Sequence, residues 1–425
     1  MGRLRKRLTW QLPAALLLSV AVAGCTSTSS GTAAPSFSPP VTAGPAPTEA
    51  PAQARDVATG LTTPWGIAFL PGGDALISER DTGKILRLPA GGGAPVEAAR
   101  IDGVDATGES GLLGLAVPPD YRTAHWVYAY FTGAEDNRVV RLRLGDAAAP
   151  QPVLTGIPKG TRHDGGRLAF GPDGLLYVST GETGDRSLAQ DLGSLGGKIL
   201  RITPDGKPAP GNPFPGSPVF SYGHRNVEGL TFDEQGRLYA SEFGSNSFDE
   251  LNLIVAGGNY GWPAVEGHDP ANRYRQPLVT WTTDEASPSG IVYVSGVIYV
   301  AALRGERLWR VDLRTGAKQA LLDGTYGRLR TVVRTPDGRA LWVSTSNTDG
   351  RGDPRPGDDR IVTIPLSGGD GRAAALAGRS GDHVRAAPPG SLPGCCGPRP
   401  PPPETEQGPR MAARAAVDLP QPAVQ

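Results

Sequence analysis

The stretch GRLAFGPDGLLYVSTGE, Gly166 to Glu182, holds a short apolar strand, a Gly-Pro-Asp-Gly turn and a second apolar strand. Proline presets one turn dihedral and glycine supplies the positive one, so the two runs must fold back on each other. The same phrase returns as WGIAFLPGGDALIS from Trp65, LGLAVPPDYRTAHWVYAYF from Leu113, EGLTFDEQGRLYASE from Glu228 and RTVVRTPDGRALWVST from Arg330. A degenerate copy, SGIVYVSGVIYVAAL, starts at Ser289. Six copies spaced roughly 45 to 60 residues apart have the rhythm of a propeller with one four-stranded sheet per blade. No stretch between Arg55 and Ser367 sustains a helical period. The expected fold is therefore all-β, a six-bladed β-propeller over residues 55–368. The segment from Pro288 to Leu303 looks shortened relative to a full blade.

The ends of the chain have a different composition. Arg3, Arg5, Lys6 and Arg7 precede an apolar run from about Leu12 to Ala23, too short to span a bilayer and laid out like an export signal over residues 1–24. Val22-Ala23-Gly24-Cys25 resembles a bacterial lipobox, which implies export to the cell envelope and membrane attachment through lipid on Cys25. Residues 25–54 are Ser, Thr, Ala and Pro, a composition that cannot offset its ordering entropy and reads as a flexible tether. Residues 369–425, with GCCGPRPPPPETEQGPR from Gly394, have no hydrophobic period and read as a disordered tail.

Lys and Arg total 42 against 42 Asp and Glu, which argues against nucleic acid as a partner. The absence of cysteine between Thr26 and Gly394 excludes disulfides, thiolate chemistry and a Cys-based metal site from the globular part.

A propeller localises function, because loops from separate blades converge at the mouth of the central channel. Polar segments stand outside the repeated strands at regular stations: GESGLLG (Gly108 to Gly114), RHDGGR (Arg162 to Arg167), STGETGDR (Ser179 to Arg186), YGHRN (Tyr222 to Asn226), SEFGSNSFDE (Ser241 to Glu250) and GRLR (Gly327 to Arg330). In that order, and with SEFGSNSFDELNLI followed by GGNYGWP (Gly257 to Pro263), they resemble the pyrroloquinoline-quinone-dependent glucose and aldose-sugar dehydrogenases of the glucose/sorbosone dehydrogenase family. The resemblance runs from TPWGIAFLPGG near Thr63 to LWVSTSN near Leu341.

That resemblance implies oxidation of an aldose sugar to its lactone, with pyrroloquinoline quinone as cofactor and an external electron acceptor as partner. It assigns His163 as the base that takes the proton of the anomeric hydroxyl, and Arg225 and Asn226 as the pair at the quinone oxygen. Arg328 and Arg330 take the family's Arg-x-Arg positions beside the cofactor, Arg304 stands where a lysine is often found, and Glu109 where several relatives have a glutamine. Ca²⁺ is implied at the backbone carbonyls of Gly244 and Ser245, with a second Ca²⁺ at Glu250 and the Tyr260 carbonyl. A neutral imidazole suits a base near neutral pH, and a positioned guanidinium offsets developing negative charge. Glu182 and Asp185 read equally well as sugar- or cofactor-orienting groups and as turn residues; His224 reads as a packing or supporting residue. Asp249 reads either as support for the calcium loop or as an Asx turn, and Trp262 alone of the tryptophans as one that could face the site. Arg162 and Phe243 depart from the Asp and Gln of the glucose-oxidising branch, so glucose preference does not follow. The rival readings are a non-catalytic propeller binding glycan or protein at the cell surface, and a calcium-dependent lactonase-like hydrolase.

Overall fold

The computed structural model describes residues 54–366 apart from 147. The export signal, Cys25, most of the tether and the C-terminal tail lie outside the described residues. Within them the chain forms six four-stranded antiparallel sheets arranged as blades. The innermost strands are Pro64–Phe69, Leu112–Ala116, Leu168–Phe170, Val227–Phe232, Pro288–Val294 and Leu329–Arg334. Each is the first strand of one sequence repeat. The inner strands of the first five blades lead outward through three meander steps. The sixth is completed differently: Arg55–Ala58, the first strand among the described residues, pairs with Ile361–Pro365 and forms its outer edge.

Six apolar clusters hold the ring together, each shared by successive blades. The alternation of each strand puts one set of side chains into the seam on either side, so a blade has no face of its own to leave bare. Fully burying one Val, Leu or Ile contributes about 1.5–3 kcal/mol, and Ile77, Ile85, Val178 and Val343 are all fully enclosed.

A hydroxyl at the end of the second strand stitches neighbouring blades. Ser78 Oγ donates to Leu113 O (2.5 Å), Ser179 Oγ to Val227 O (2.7 Å) and Ser241 Oγ to Ser289 O (2.6 Å). The inner strands approach closely at these seams. A Cβ on Gly114 would stand 2.2 Å from Gly166 O, which is why glycine is required there.

The fifth blade is complete. Its first two strands, Pro288–Val294 and Val297–Ala302, pair directly across Ser295 and Gly296. Both turn residues have positive φ, 47° and 86°, the conformation of a two-residue type I′ turn. The segment looked short because that turn replaces the longer Pro-Asp-Gly loop of the other copies.

Candidate functional site

One position of the repeat is occupied in turn by Trp65, Leu113, Gly166, Glu228, Ser289 and Arg330. Glu228 Oε2 accepts from Arg330 Nη1 (2.5 Å) and from Ser289 Oγ (2.7 Å), and the Arg330 guanidinium lies 5.7 Å from the Trp65 ring centroid. Arg167, one residue on from Gly166, crosses the ring with its guanidinium 4.1 Å from the Trp65 centroid and donates Nε to Glu228 O (2.7 Å). Glu228 and Arg330 of this charged layer line a cavity of about 400 Å³.

His163, Arg225, Arg304, Arg328, Arg330 and Glu109 all line this cavity, although they come from different blades. His163 has φ 57°, a left-handed backbone that histidine tolerates better than most residues. Its Nδ1 lies 2.6 Å from Glu182 Oε1. A carboxylate accepts at that distance, so of the two neutral tautomers the contact favours the one with the proton on Nδ1 and the lone pair on Nε2. Of the acidic pair that the sequence left undecided, Glu182 is the one in contact with His163. Asp185 is the turn half: its carboxylate accepts from Ser187 N (3.0 Å) and caps the short 3₁₀ turn Arg186–Ala189.

The tripeptide Gly181 to Thr183 ties His163 to Arg225. Glu182 N donates to Arg225 O (2.9 Å) and Thr183 N to His163 O (3.2 Å). A Cβ on Gly181 would fall 1.8 Å from His163 O, so only glycine lets the two loops meet. Arg225 N donates to Glu242 Oε1 (2.5 Å), and the same carboxylate holds His224 Nδ1 through Oε2 (2.8 Å). His224 also contacts Ser221 Oγ at 2.8 Å and stacks on Tyr260, which makes it a buried brace under Arg225. Burial pulls the Arg225 pKa down, against Glu182, Glu109, Glu266 and Glu242. Trp262 is buried with its ring between the Arg225 and Arg186 guanidiniums, 5.4 and 5.2 Å away.

Asp349 gathers the Arg-x-Arg pair. Its Oδ2 accepts from Arg328 Nη2 at 2.9 Å and lies 3.8 Å from Arg330 Nη2. Arg304 pairs with Asp284 at 2.5 Å and is 62% exposed, so it stands at the rim.

The candidate calcium loop is organised by two acids. Glu266 Oε1 accepts from the N–H groups of Ser245, Asn246, Ser247 and Phe248 at 2.7–3.0 Å. Burial raises the Glu266 pKa, but these four donors outweigh it and hold the carboxyl below its ordinary range. Asp249 is the support of this loop, accepting from Gly244 N (2.8 Å) and Ser287 N (2.6 Å). With the N–H groups so engaged, the Gly244 and Ser245 carbonyls accept no hydrogen bond among the described residues, and both residues line the cavity with Asp249. Unengaged carbonyls beside a carboxylate are a donor set that suits a hard cation.

Three expected residues are placed elsewhere. Asn226 is fully buried behind the wall, with Oδ1 accepting from Gly165 N (3.0 Å) and Nδ2 donating to Glu228 Oε1 (3.3 Å). Glu250 and Tyr260 do not line the cavity. Both Glu250 oxygens are engaged, by Gly267 N (2.6 Å) and Asn252 Nδ2 (2.9 Å), and Tyr260 OH bonds Leu253 O. Burial, with Glu242 across the strand pair, pushes the Glu250 pKa up to about 8. The Tyr260 carbonyl, the other group expected at a second cation, accepts no hydrogen bond among the described residues.

The segment that follows Glu182 is anchored by a residue the sequence did not single out. Lys198 is fully buried, and its Nζ donates to the carbonyls of Leu188 (2.6 Å), Ala189 (3.2 Å) and Gly196 (2.6 Å). Burial brings its pKa down to about 8, with Asp191 opposing. Between about pH 8 and the unfolded value of 10.5 the unfolded chain therefore binds the extra proton, and this group adds stability as pH rises through that window. Urea denaturation of Lys198→Met is expected to show a loss of about 1–3 kcal/mol near neutral pH from the abandoned carbonyls. The gap to the parent protein should widen between pH 8 and 10.5; a gap constant across that range would contradict the buried-ammonium description.

With the geometry in hand, similarity to known proteins is informative. Residues 61–353 match the family model described as Glucose / Sorbosone dehydrogenase. The aldose sugar dehydrogenase of Escherichia coli is 31% identical over 333 residues, which cover 68% of this chain and 89% of that protein. Quinoprotein glucose dehydrogenase B of Acinetobacter calcoaceticus is 32% identical over 256 residues, 51% of this chain and about half (54%) of that relative's length. The structure of the PQQ-bound form of aldose sugar dehydrogenase from Streptomyces coelicolor is 55% identical and superimposes with a TM-score of 0.71, covering 75% of this chain and all of that one.

Proposed function

The chain belongs to the glucose/sorbosone dehydrogenase family, and from that premise we propose that it is a pyrroloquinoline-quinone-dependent aldose sugar dehydrogenase that converts the anomeric carbon of a sugar to a lactone. The observation that carries this is one cavity lined by His163, with its Glu182 partner behind it, and by five arginines. Neither a glycan-binding propeller nor a lactonase-like hydrolase needs that combination.

The residues present fit the tricarboxylate cofactor. Arg225 Nε and Arg330 Nε are buried donors with no partner, and Arg328 and Arg304 bring further positive charge to the wall. When bound, the quinone supplies the two-electron acceptor for hydride from the sugar, and Ca²⁺ supplies a Lewis acid that polarises it. Arg225, Arg304, Arg328 and Arg330 would hold the quinone, and the carbonyls of Gly244 and Ser245 with Asp249 would hold the cation.

The protein's own part is proton transfer and charge placement. His163 Nε2 takes the proton of the anomeric hydroxyl as hydride leaves the same carbon. Glu182 keeps the ring in the tautomer that can accept and then neutralises the imidazolium. Arg225 offsets negative charge on the acceptor side of the cavity, with its backbone fixed by Glu242.

Export, lipid attachment at Cys25 and reoxidation by an external electron acceptor complete the proposal, on the strength of the basic-then-apolar leader ending in Val-Ala-Gly-Cys. Purified protein given quinone and Ca²⁺ should reduce a dye with at least one aldose of a panel, and chelation before loading should abolish the gain. Saturable quinone binding with no oxidation of any sugar would overturn the dehydrogenase reading.

A further inference from the structure

The five arginines of the cavity are not alike. Arg328 and Arg330 have side chains 9% and 6% exposed and are fastened to Asp349 and Glu228. Arg351 also lines the cavity, yet its side chain is 55% exposed. Its Nη1 donates to Glu109 Oε1 at 2.8 Å, its only side-chain bond among the described residues, so Nε and Nη2 have no protein partner. That leaves one edge of a planar fork, two parallel N–H donors, free at an open wall.

The position of the fork is fixed from both ends. Asp349, whose Oδ2 grips Arg328, accepts the Arg351 backbone N through Oδ1 (2.9 Å). At the other end, Glu109 Oε2 accepts from His163 N (2.7 Å). Burial raises the Glu109 pKa, but the His163 N–H and Arg351 outweigh it and keep the group ionised. One carboxylate therefore spans from the backbone of the proton acceptor to the guanidinium, and whatever lies next to the reacting hydroxyl comes within reach of the pair.

Resting on the dehydrogenase reading, we propose that Arg351, oriented by Glu109, is a specificity-determining residue that reads the sugar hydroxyls adjoining the anomeric carbon. A hydroxyl is both donor and acceptor, and the pair offers the complement of each: guanidinium N–H groups toward its oxygen and carboxylate lone pairs toward its proton. The two parallel donors of the free edge match two neighbouring oxygens, as in a vicinal diol. The pair is internally neutral, so it selects uncharged sugars and leaves the recognition of the cofactor's carboxylates to the buried arginines. A lysine has the charge but not the fork.

The test crosses protein and substrate changes in the full-length, quinone- and Ca²⁺-loaded protein. Wild type, Arg351→Ala and Arg351→Lys are compared on glucose and galactose and on their 2-deoxy analogues. Hydrogen bonds to a charged group predict a fall of about 10- to 100-fold in kcat/KM on the parent sugars in either variant. The same variants should lose less than about 3-fold on the 2-deoxy sugars, which lack the partner. Quinone affinity, followed by absorbance titration without sugar, should stay within about 2-fold in both. Equal losses on parent and 2-deoxy sugars, or a loss of quinone affinity of the same size, would overturn the assignment. A wild type that binds quinone and oxidises none of the four sugars overturns the clamp for these aldoses, and only inactivity across a wider panel would reach the dehydrogenase reading itself.

Discussion

Replacing His163 with glutamine is expected to lower kcat for aldose oxidation by about 10²- to 10⁴-fold, the usual contribution of a positioned general base. Glutamine keeps a polar side chain of similar reach, so the wall of the cavity is disturbed little. It has no group that can hold a proton near neutral pH. The Glu182 carboxylate behind it would then face an amide instead of a ring that turns cationic on accepting the proton. Loss of activity should therefore appear in kcat with quinone binding retained, and circular dichroism should report an unchanged fold. Turnover within tenfold of wild type would mean that another group takes the proton.

The second large effect is on stability. Glu228 has side-chain bonds to Arg330, Ser289 and Asn226, and its own carbonyl receives Arg167. Glu228→Ala leaves Arg330 buried with only Ser289 Oγ at 3.5 Å on Nη1 and Asp349 at 3.8 Å from Nη2, and breaking a buried pair from one side costs about 3–5 kcal/mol. For a domain of this size that corresponds to a fall in Tm of roughly 5–8 °C. Arg330→Met in the same background should recover part of the loss, because it removes the stranded charge. A loss below about 1 kcal/mol would show that water entering the cavity screens Arg330.

The six blades were legible because the inner two strands of each are written as one phrase with a turn between them. The fifth was the least legible, since Ser295 and Gly296 close its hairpin in two residues where the other copies need four or more. His163, Arg225, Arg328 and Arg330 were legible as motif residues. Glu182 was half legible, because a carboxylate in a glycine-rich loop is indistinguishable from its neighbour Asp185 until the ring it faces is known. Glu228, Arg167 and Arg351 were not identified, for a common reason: each acquires its role from a partner on another blade, whereas Asp349 gathers two arginines of its own blade. Glu228 and Arg330 are 102 residues apart, and Glu109 and Arg351 are 242. One signal was available, a charged residue at the strand position where other copies have Trp65 or Leu113. Asn226 shows the opposite limit: a matching motif brought it forward, and its hydrogen bonds with Gly165 and Glu228 hold it in the interior of the fold.

The pairing of Arg55–Ala58 with Ile361–Pro365 has a consequence for biogenesis. The strand made first waits for a partner made some three hundred residues later, so a nascent chain cannot seal its circle until almost all of it has emerged. Until then the unfinished last blade presents a bare strand edge, open to any other extended segment that meets it. Latching by the earliest strand makes the final act of assembly the one that removes this hazard. Loss of those four residues should leave a protein that collapses normally and then oligomerises through the open blade.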